Sequence, residues 1–303
     1  MAIKTVQAII NGVTTTLTYN ATSKKYEATI TAPAKSSYSQ SGHYYNVTVK
    51  ATDDAGNLTS ADASHATLGT SLRLTVKEKV APVSAFVSPA AGALLRSVRP
   101  TITWKVTDND SGVNPDTIAI IVDSGAKTTA GITKTAITGG YQCTYTPTAD
   151  LSQGAHTVKV DATDRDGNVA VQKSLSFTCD TVNPTLTIST PTNNLITKTP
   201  ACTVSGTATD ATTAPCAVTV KHNSGAAASV TVSSSGAWSK ALTLAEGTNT
   251  ITVVATDRAG NSTTKSITVK LDTKAPVIKS VTITPNPVDA GKTFVISVDA
   301  SDD

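Results

Sequence analysis

The residues in this chain whose types and spacing suit chemistry are carboxylates. They fall into sets. Glu78, Asp108, Asp110, Asp164 and Asp166 form the first, and Asp180, Asp210 and Asp257 the second. Asp272, Asp302 and Asp303 at one end, with Asp53 and Asp54 at the other, form a third. In each set one acid lies in a short Pro-containing connection, one closes a run of alternating apolar residues, and one opens a Gly-containing turn. Converging carboxylates suit a hard cation, so Ca²⁺ is the one cofactor the pattern admits. Short Asp side chains also cap turns by accepting hydrogen bonds from their own backbone, which explains the same pattern with no ion and no cofactor.

Little else reads as a reaction centre. His43, His65, His156 and His222 lie in four separate segments, none with a Cys or carboxylate at catalytic spacing. There is no Gly-rich phosphate loop and no nucleophile elbow. The expectation is therefore a protein that is not an enzyme. Cys143, Cys179, Cys202 and Cys216 lack metal-knuckle spacing, and the last two alternate in phase with Val204 and Val218. They read as small buried hydrophobes in preference to disulfides. Trp104 and Trp238 share the phase of strand apolar residues and read as core. Tyr38, His43, Tyr44 and Tyr45 flank the polar segment Ser39-Gln-Ser-Gly-His43 and form the candidate surface contact. Inward packing of those Tyr rings is the leading reading and surface contact the alternative.

What positions these residues is a unit that occurs three times. Val158-Lys-Val-Asp-Ala-Thr-Asp164-Arg-Asp-Gly167-Asn168 repeats as Val47-Thr-Val-Lys-Ala-Thr-Asp53-Asp-Ala-Gly56-Asn57 and as Ile251-Thr-Val-Val-Ala-Thr-Asp257-Arg-Ala-Gly260-Asn261. Apolar residues at every second position predict a strand with one face in a core. The Gly takes the turn, and a second strand follows: Ser71–Lys77, Lys173–Cys179 or Lys265–Leu271. One β-hairpin per roughly 100 residues is the spacing of an immunoglobulin-like sandwich.

Gly236-Ala-Trp238-Ser-Lys-Ala-Leu-Thr-Leu244-Ala-Glu-Gly247-Thr-Asn249-Thr-Ile251, running into Ala255-Thr-Asp257-Arg-Ala-Gly260-Asn261, resembles the last three strands of bacterial Ig-like domains of the glucodextranase-domain-B-like type. The resemblance covers nearly the whole chain. It implies an all-β fold of tandem Ig-like β-sandwiches in a rod, of the kind that serves as spacer or adhesive module in bacterial surface proteins, secreted enzymes and phage virion proteins.

Composition agrees with that class. Aromatic residues make up 4% and charged residues 16% of the 303 residues, and the net charge is +3, so no nucleic-acid partner is indicated. No stretch has the apolar length of a membrane span, so membrane insertion is not expected. The residues after Met1 lack the basic lead and apolar run of a signal peptide. A surface-type fold without an export signal points to a virion particle made in the host cytoplasm, with the bacterial cell surface as the alternative location.

A second repeat opens each domain. Pro82 to Asp108, Pro184 to Asp210 and Pro276 to Asp302 each span 26 positions, and each Asp closes an alternating strand. These are the A and B strands. The predicted division is an incomplete domain at 1–79 with strands C to G, domains at 80–179 and 180–273, and an orphan A–B pair at 274–303. The B-strand Asp precedes the hairpin Asp by 56 positions in the second domain and 47 in the third; running on from Asp303 to Met1 would give 54. Phe294, Ile296, Val298 and Ala300 on the last strand, with Ile3 and Val6 on the first, are the candidate assembly residues. Burying Phe294, Ile296 and Val298 would contribute about 5 to 9 kcal/mol gross. The expected partner is another copy, whose residues 274–303 would complete residues 1–79 by head-to-tail β-strand donation into a ring or filament, together with other virion proteins and a host glycan. The leading reading is a virion or tail structural protein; the alternatives are a surface adhesin or stalk and the accessory region of a secreted carbohydrate-active enzyme.

Overall fold

The computed structural model describes residues 2–302, and they are almost entirely strand and turn. The chain divides into two compact units, Met1–Cys179 and Asp180–Asp303. Met1 and Asp303 lie outside the described residues.

The first unit opens with β1 (Ile3–Ile10), β2 (Val13–Asn20), β3 (Lys25–Glu27), β4 (Tyr45–Asp53), β5 (Leu58–Ala61) and β6 (Arg73–Leu74). They make one sheet in the order β3-β2-β1-β4-β5, with β6 on the early part of β4. Register puts Val6 opposite Ala51, Ala8 opposite Val49 and Ile10 opposite Val47. Leu17 pairs with Val6 and Ala61 with Val49. Because cross-strand partners share a face, these side chains form one apolar surface, and Ile3, paired with Asp53 beyond a bulge, joins it. Residues 62–72 roof part of it, leaving an open apolar cleft of about 340 Å³ bordered by Val49, Ala51, Leu68 and Leu72. Two predicted strands are shorter than expected. Lys25–Thr31, where Tyr26, Ala28 and Ile30 alternate as in a strand, is strand only to Glu27, since past that point it has no neighbour to pair with among the described residues. Ser71–Lys77 is strand only at Arg73–Leu74, because β5 takes the place beside β4 nearest the turn.

The same unit continues with β7 (Val83–Ser88), β8 (Ala93–Leu95), β9 (Ile102–Thr107), β10 (Ala119–Val122), β11 (Thr133–Ile137), β12 (Gly140–Tyr145), β13 (Gly154–Asp161) and β14 (Lys173–Cys179). Sheets β11-β12-β9-β7 and β10-β13-β14-β8 enclose one core. Ile102, Trp104, Val106, Val158, Val160 and Phe177 supply it, all of them buried by strand alternation.

The second unit holds β15 (Thr185–Thr190), β16 (Leu195–Thr197), β17 (Ala201–Thr209), β18 (Ala217–His222), β19 (Ala228–Val230), β20 (Ala237–Thr243), β21 (Gly247–Thr256) and β22 (Ser262–Leu271). Sheets β15-β17-β20 and β16-β22-β21-β18-β19 pack around Val204, Val218, Trp238, Ile251, Val253 and Val269. Gly206 allows this closeness: a Cβ there would stand 2.9 Å from the Trp238 ring and 2.0 Å from the Thr187 carbonyl oxygen. The chain then forms a hairpin of β23 (Val277–Thr284) and β24 (Val295–Ser301). Every residue of β23 is exposed, and so is all of β24 except half-buried Ser301.

All four cysteines are free thiols, Cys143, Cys179 and Cys216 buried and Cys202 half-buried. Burial pushes the Cys143 thiol up to about 11, with Lys134 opposing the shift. These are packing residues.

His156 is the exception among the ionisable core groups. It is buried, with Nδ1 2.9 Å from Asp123 Oδ2 and Nε2 2.8 Å from the Ser152 carbonyl oxygen. Burial alone would lower its pKa, but the Asp123 carboxylate and the Ser152 carbonyl outweigh it and the net shift is upward. A raised folded-state value means that the His156 contribution is complete below its unfolded pKa of about 6.5 and is lost as pH rises through the folded pKa. Denaturant unfolding followed by Trp104 fluorescence, with Trp238 replaced by Phe, should therefore show stability rising from pH 8 to pH 6. That slope should flatten in His156→Gln; an unchanged slope would refute the assignment.

Candidate functional site at the acidic joints

Each of the three repeated turns is closed the same way. In the second, Asp164 N donates to the Asn168 carbonyl at 3.1 Å, Asn168 N donates to Asp164 Oδ1 at 2.7 Å, and Asn168 Nδ2 donates to Oδ2 at 2.6 Å. Asp257 and Asn261 repeat it at 3.0, 2.9 and 2.8 Å. Asp53 and Asn57 repeat it at 3.1, 2.8 and 2.8 Å. Gly167, Gly260 and Gly56 sit at φ of 94°, 94° and 89°, a region that only Gly enters without strain.

The closed turn then reaches back to the incoming connection. Asn168 Nδ2 lies 3.2 Å from the Glu78 carbonyl oxygen, and Asn261 Nδ2 donates to the Asp180 carbonyl at 3.0 Å. Side chains of those two connection acids meet the turn. Glu78, Asp108 and Asp164 bring carboxylate oxygens within 4.8 Å of one another, as do Asp180, Asp210 and Asp257. Asp108, Asp164, Asp180 and Asp257 are buried.

Donors in the protein meet these oxygens. Asp108 Oδ1 accepts the amides of Asp110 and Gly112, and Glu78 Oε1 accepts the Ser111 amide at 2.6 Å. In the second group Asp210 Oδ1 accepts the amides of Thr212 and Thr213, while the Thr213 hydroxyl donates to Asp180 Oδ2 at 2.5 Å. The clustered charge is felt nearby: the Cys216 thiol is raised first by burial, then by Asp210, Asp257 and Asp180. A separation of 4.8 Å is also the span of two oxygens across a cation held at about 2.4 Å. Glu78 and the two buried Asp residues could hold Ca²⁺ by that criterion, and so could Asp180, Asp210 and Asp257.

Asp110 and Asp166, predicted with the first set, point elsewhere. Asp110 Oδ1 accepts the Ser36 amide at 3.0 Å, and Asp166 Oδ2 accepts the Glu78 amide at 3.0 Å. Both tie the early sheet to the sandwich that follows it. Of the candidate contact residues, Tyr38 joins the same joint, His43 is exposed, Tyr44 is half-buried and Tyr45 is buried. Arg165 donates from Nη1 to the Tyr38 hydroxyl at 2.8 Å with its guanidinium 4.9 Å from that ring, and His43 stacks on the other aromatic partner, Tyr38, at 4.0 Å. Tyr45 is buried and donates to the Lys35 carbonyl; Tyr44 lies under Arg73. Of the candidate assembly residues, Val6 is buried within its own sheet's face, while Ile3, Phe294, Ile296 and Val298 are exposed and Ala300 lies on exposed β24. Sequence reasoning overlooked the Asn residues, although an Asn follows each turn Asp by four positions in all three repeats.

Residues 92–181 match the family described as a bacterial Ig-like domain, and residues 184–273 match domain B of glucodextranase. The two are Ig-like domains in tandem. Among curated proteins, the PII-type proteinase of Lacticaseibacillus paracasei is 32% identical over 165 residues, 52% of this chain and 9% of the relative. The PII-type proteinase of Lactococcus lactis subsp. cremoris is 31% identical over 171 residues, again 52% and 9%. The chain thus spans only 9% of the length of these relatives. Among solved structures, the fibronectin(III)-like modules of Clostridium thermocellum CbhA align at 18% identity and a TM-score of 0.38, covering 62% of this chain and 94% of theirs. Titin domains A168–A170 align at 13% identity and 0.43, covering 88% of each chain.

Removing the Asn side chain strips a donor from a buried carboxylate and from a connection carbonyl. Asn168→Ala and Asn261→Ala should each cost about 1–3 kcal/mol, read from denaturant unfolding by Trp104 and Trp238 respectively. Because the carboxylates are met by protein donors, the wild-type transitions should coincide in EDTA and in millimolar Ca²⁺. A midpoint raised by Ca²⁺ would establish a cation instead.

Proposed function

We propose that this chain is a non-catalytic accessory region of a secreted or surface-exposed bacterial protein, its Ig-like domains acting as a spacer whose connection at Glu78 is fixed to the domain that follows it. The recurrent clamp of a connection acid against the Asp–Asn turn carries this reading. A flexible tether would need no such contacts; here the Glu78 amide, carbonyl and carboxylate are all engaged by the domain that follows. The comparisons support an accessory role over a virion component. The named relatives are proteinases matched over a small fraction of their length, and one matching family is a single domain of glucodextranase.

The His side chains are engaged in packing and turns. His43 stacks on Tyr38, His65 accepts the amides of Thr67 and Leu68 in a turn, and His222 faces Asn249. Among the described residues His156 and Asp123 form the one His–carboxylate ion pair. The thiol nearest that pair in the electrostatics, Cys179, is raised by burial and by Asp123, the reverse of what a nucleophile requires.

Fixed joints predict slow cleavage at the connection. Trypsin should cut the folded chain slowly at Lys77 and Lys79, and on the order of tenfold faster in Asp166→Ala/Asn168→Ala, whose connection has lost two anchors. The purified chain should show no peptidase activity of its own. Equal cleavage of both proteins would contradict the spacer reading.

A further inference from the structure

In each complete sandwich the entering segment is bonded to the strand that leaves. After β7 the chain crosses to the other sheet, where β8 runs parallel to β14 with Ala93 beside Phe177, Leu94 beside Thr178 and Leu95 beside Cys179. After β15 the chain crosses likewise, and β16 sets Leu195, Ile196 and Thr197 beside Val269, Lys270 and Leu271 of β22. Every other strand pairing among the described residues is antiparallel.

Direction matters when the chain is pulled. Tension draws β8 or β16 toward its N-terminal end and β14 or β22 toward its C-terminal end. In a parallel pair those ends lie at opposite ends of the ladder, so the strands must slide past each other and the hydrogen bonds between them are loaded together. An antiparallel pair pulled the same way would open one bond at a time.

The two ladders differ at their first rung. Gly92 N donates to the Ser176 carbonyl, and Asn194 N donates to the Thr268 carbonyl, both at 2.8 Å. Gly92 and Asn194 both sit at positive φ, 72° and 63°. Where the earlier sandwich has Ala91, Gly92 and Ser176, the later one has Asn193, Asn194 and Thr268. Those side chains add bonds across the pair: Asn193 Oδ1 accepts the Thr268 amide at 2.9 Å, and Asn194 Oδ1 accepts the Thr268 hydroxyl. At the far end Asp272 N donates to the Thr197 carbonyl at 2.9 Å. Burial does not explain this strand, since Asn193, Asn194, Leu195 and Ile196 are all exposed. Hydrogen bonds between exposed groups contribute modestly to equilibrium stability, yet these lie along the line of load.

Building on the spacer reading, we propose that the two complete domains bear tension along the chain, each through its parallel ladder. The later domain holds at the higher force, because Asn193, Asn194 and Thr268 reinforce the rung that Ala91, Gly92 and Ser176 leave to the backbone.

Single-molecule stretching of the full chain through tags at its two ends tests this. The wild type should show two high-force openings, each lengthening the tether by roughly 30 nm, one at a lower force than the other. Ala91→Asn/Gly92→Asn/Ser176→Thr moves the side-chain bonds into the earlier domain, where a Cβ at Gly92 would meet no atom within 4 Å. That exchange should raise the lower force to the level of the higher. The reverse exchange, Asn193→Ala/Asn194→Gly/Thr268→Ser, should bring the higher force down to the lower. With the handles moved to Lys198 and Asp272, which follow β16 and β22 at the same end of the ladder, the later domain should unzip at roughly half the force or less. Forces that ignore the exchange in the earlier domain overturn the proposal, even if the reverse variant fails to fold. Equal forces in the two pulling directions overturn it as well. Either failure leaves the spacer reading standing, since that reading is decided by cleavage at Lys77 and Lys79.

Discussion

The hydrogen bonds that close the Asp-x-x-Gly-Asn turn are the constraint on which the rest of the structure depends. A hairpin turn is ordinarily a local matter, but here the Asp side chain is consumed by the Asn amides, and the Asn side chain is left with a donor aimed outward. In the two complete domains that donor finds the backbone of the incoming connection. The turn therefore does two jobs with one residue pair: it sets the register of the strands on either side and anchors the segment that precedes the domain. Burial raises the stakes, because a carboxylate or carbonyl deprived of its partner inside the protein costs far more than one lost at the surface.

Packing follows from this arrangement. The strand leading into the turn contributes an inward face of Val and Ala residues, and its neighbour across the sandwich contributes Trp104 or Trp238. With few aromatic residues to spend, each complete domain builds its core around one indole ringed by β-branched side chains. The early sheet has the turn and the inward face but no indole and no opposing sheet, so its apolar surface is finished only in part by a loop.

Much of this was legible in the sequence, because strand alternation and turn chemistry are local. The phase of Trp104, Trp238, Cys202 and Cys216 was enough to read them as packing residues. Tertiary context decided the rest. Lys25–Thr31 alternates like a strand over its full length, yet a strand needs a neighbour and this one runs out of sheet after Glu27. Asp110 and Asp166 share the spacing of the acidic cluster, but their carboxylates face backbone amides of the preceding segment, a pairing across 74 and 88 positions that no local pattern reveals. Tyr45 allows two readings in the sequence, surface contact or inward packing, and its place at the start of β4 decides for the second. The Asn residues were visible in all three repeats; their role emerged only once the connection was seen to lie against them.

Native-state hydrogen exchange at the amides of Asn168 and Asn261 tests the central claim most directly. Both amides donate to the turn Asp, as does that of Asn57, which lies in the exposed version of the turn. If the clamped turn holds each domain to its connection, the Asn168 and Asn261 amides should exchange as slowly as the central amides of β13 and β21, while Asn57 exchanges by local opening. Exchange of all three at the same fast rate would mean that the turns open independently of the fold, and the account would fail.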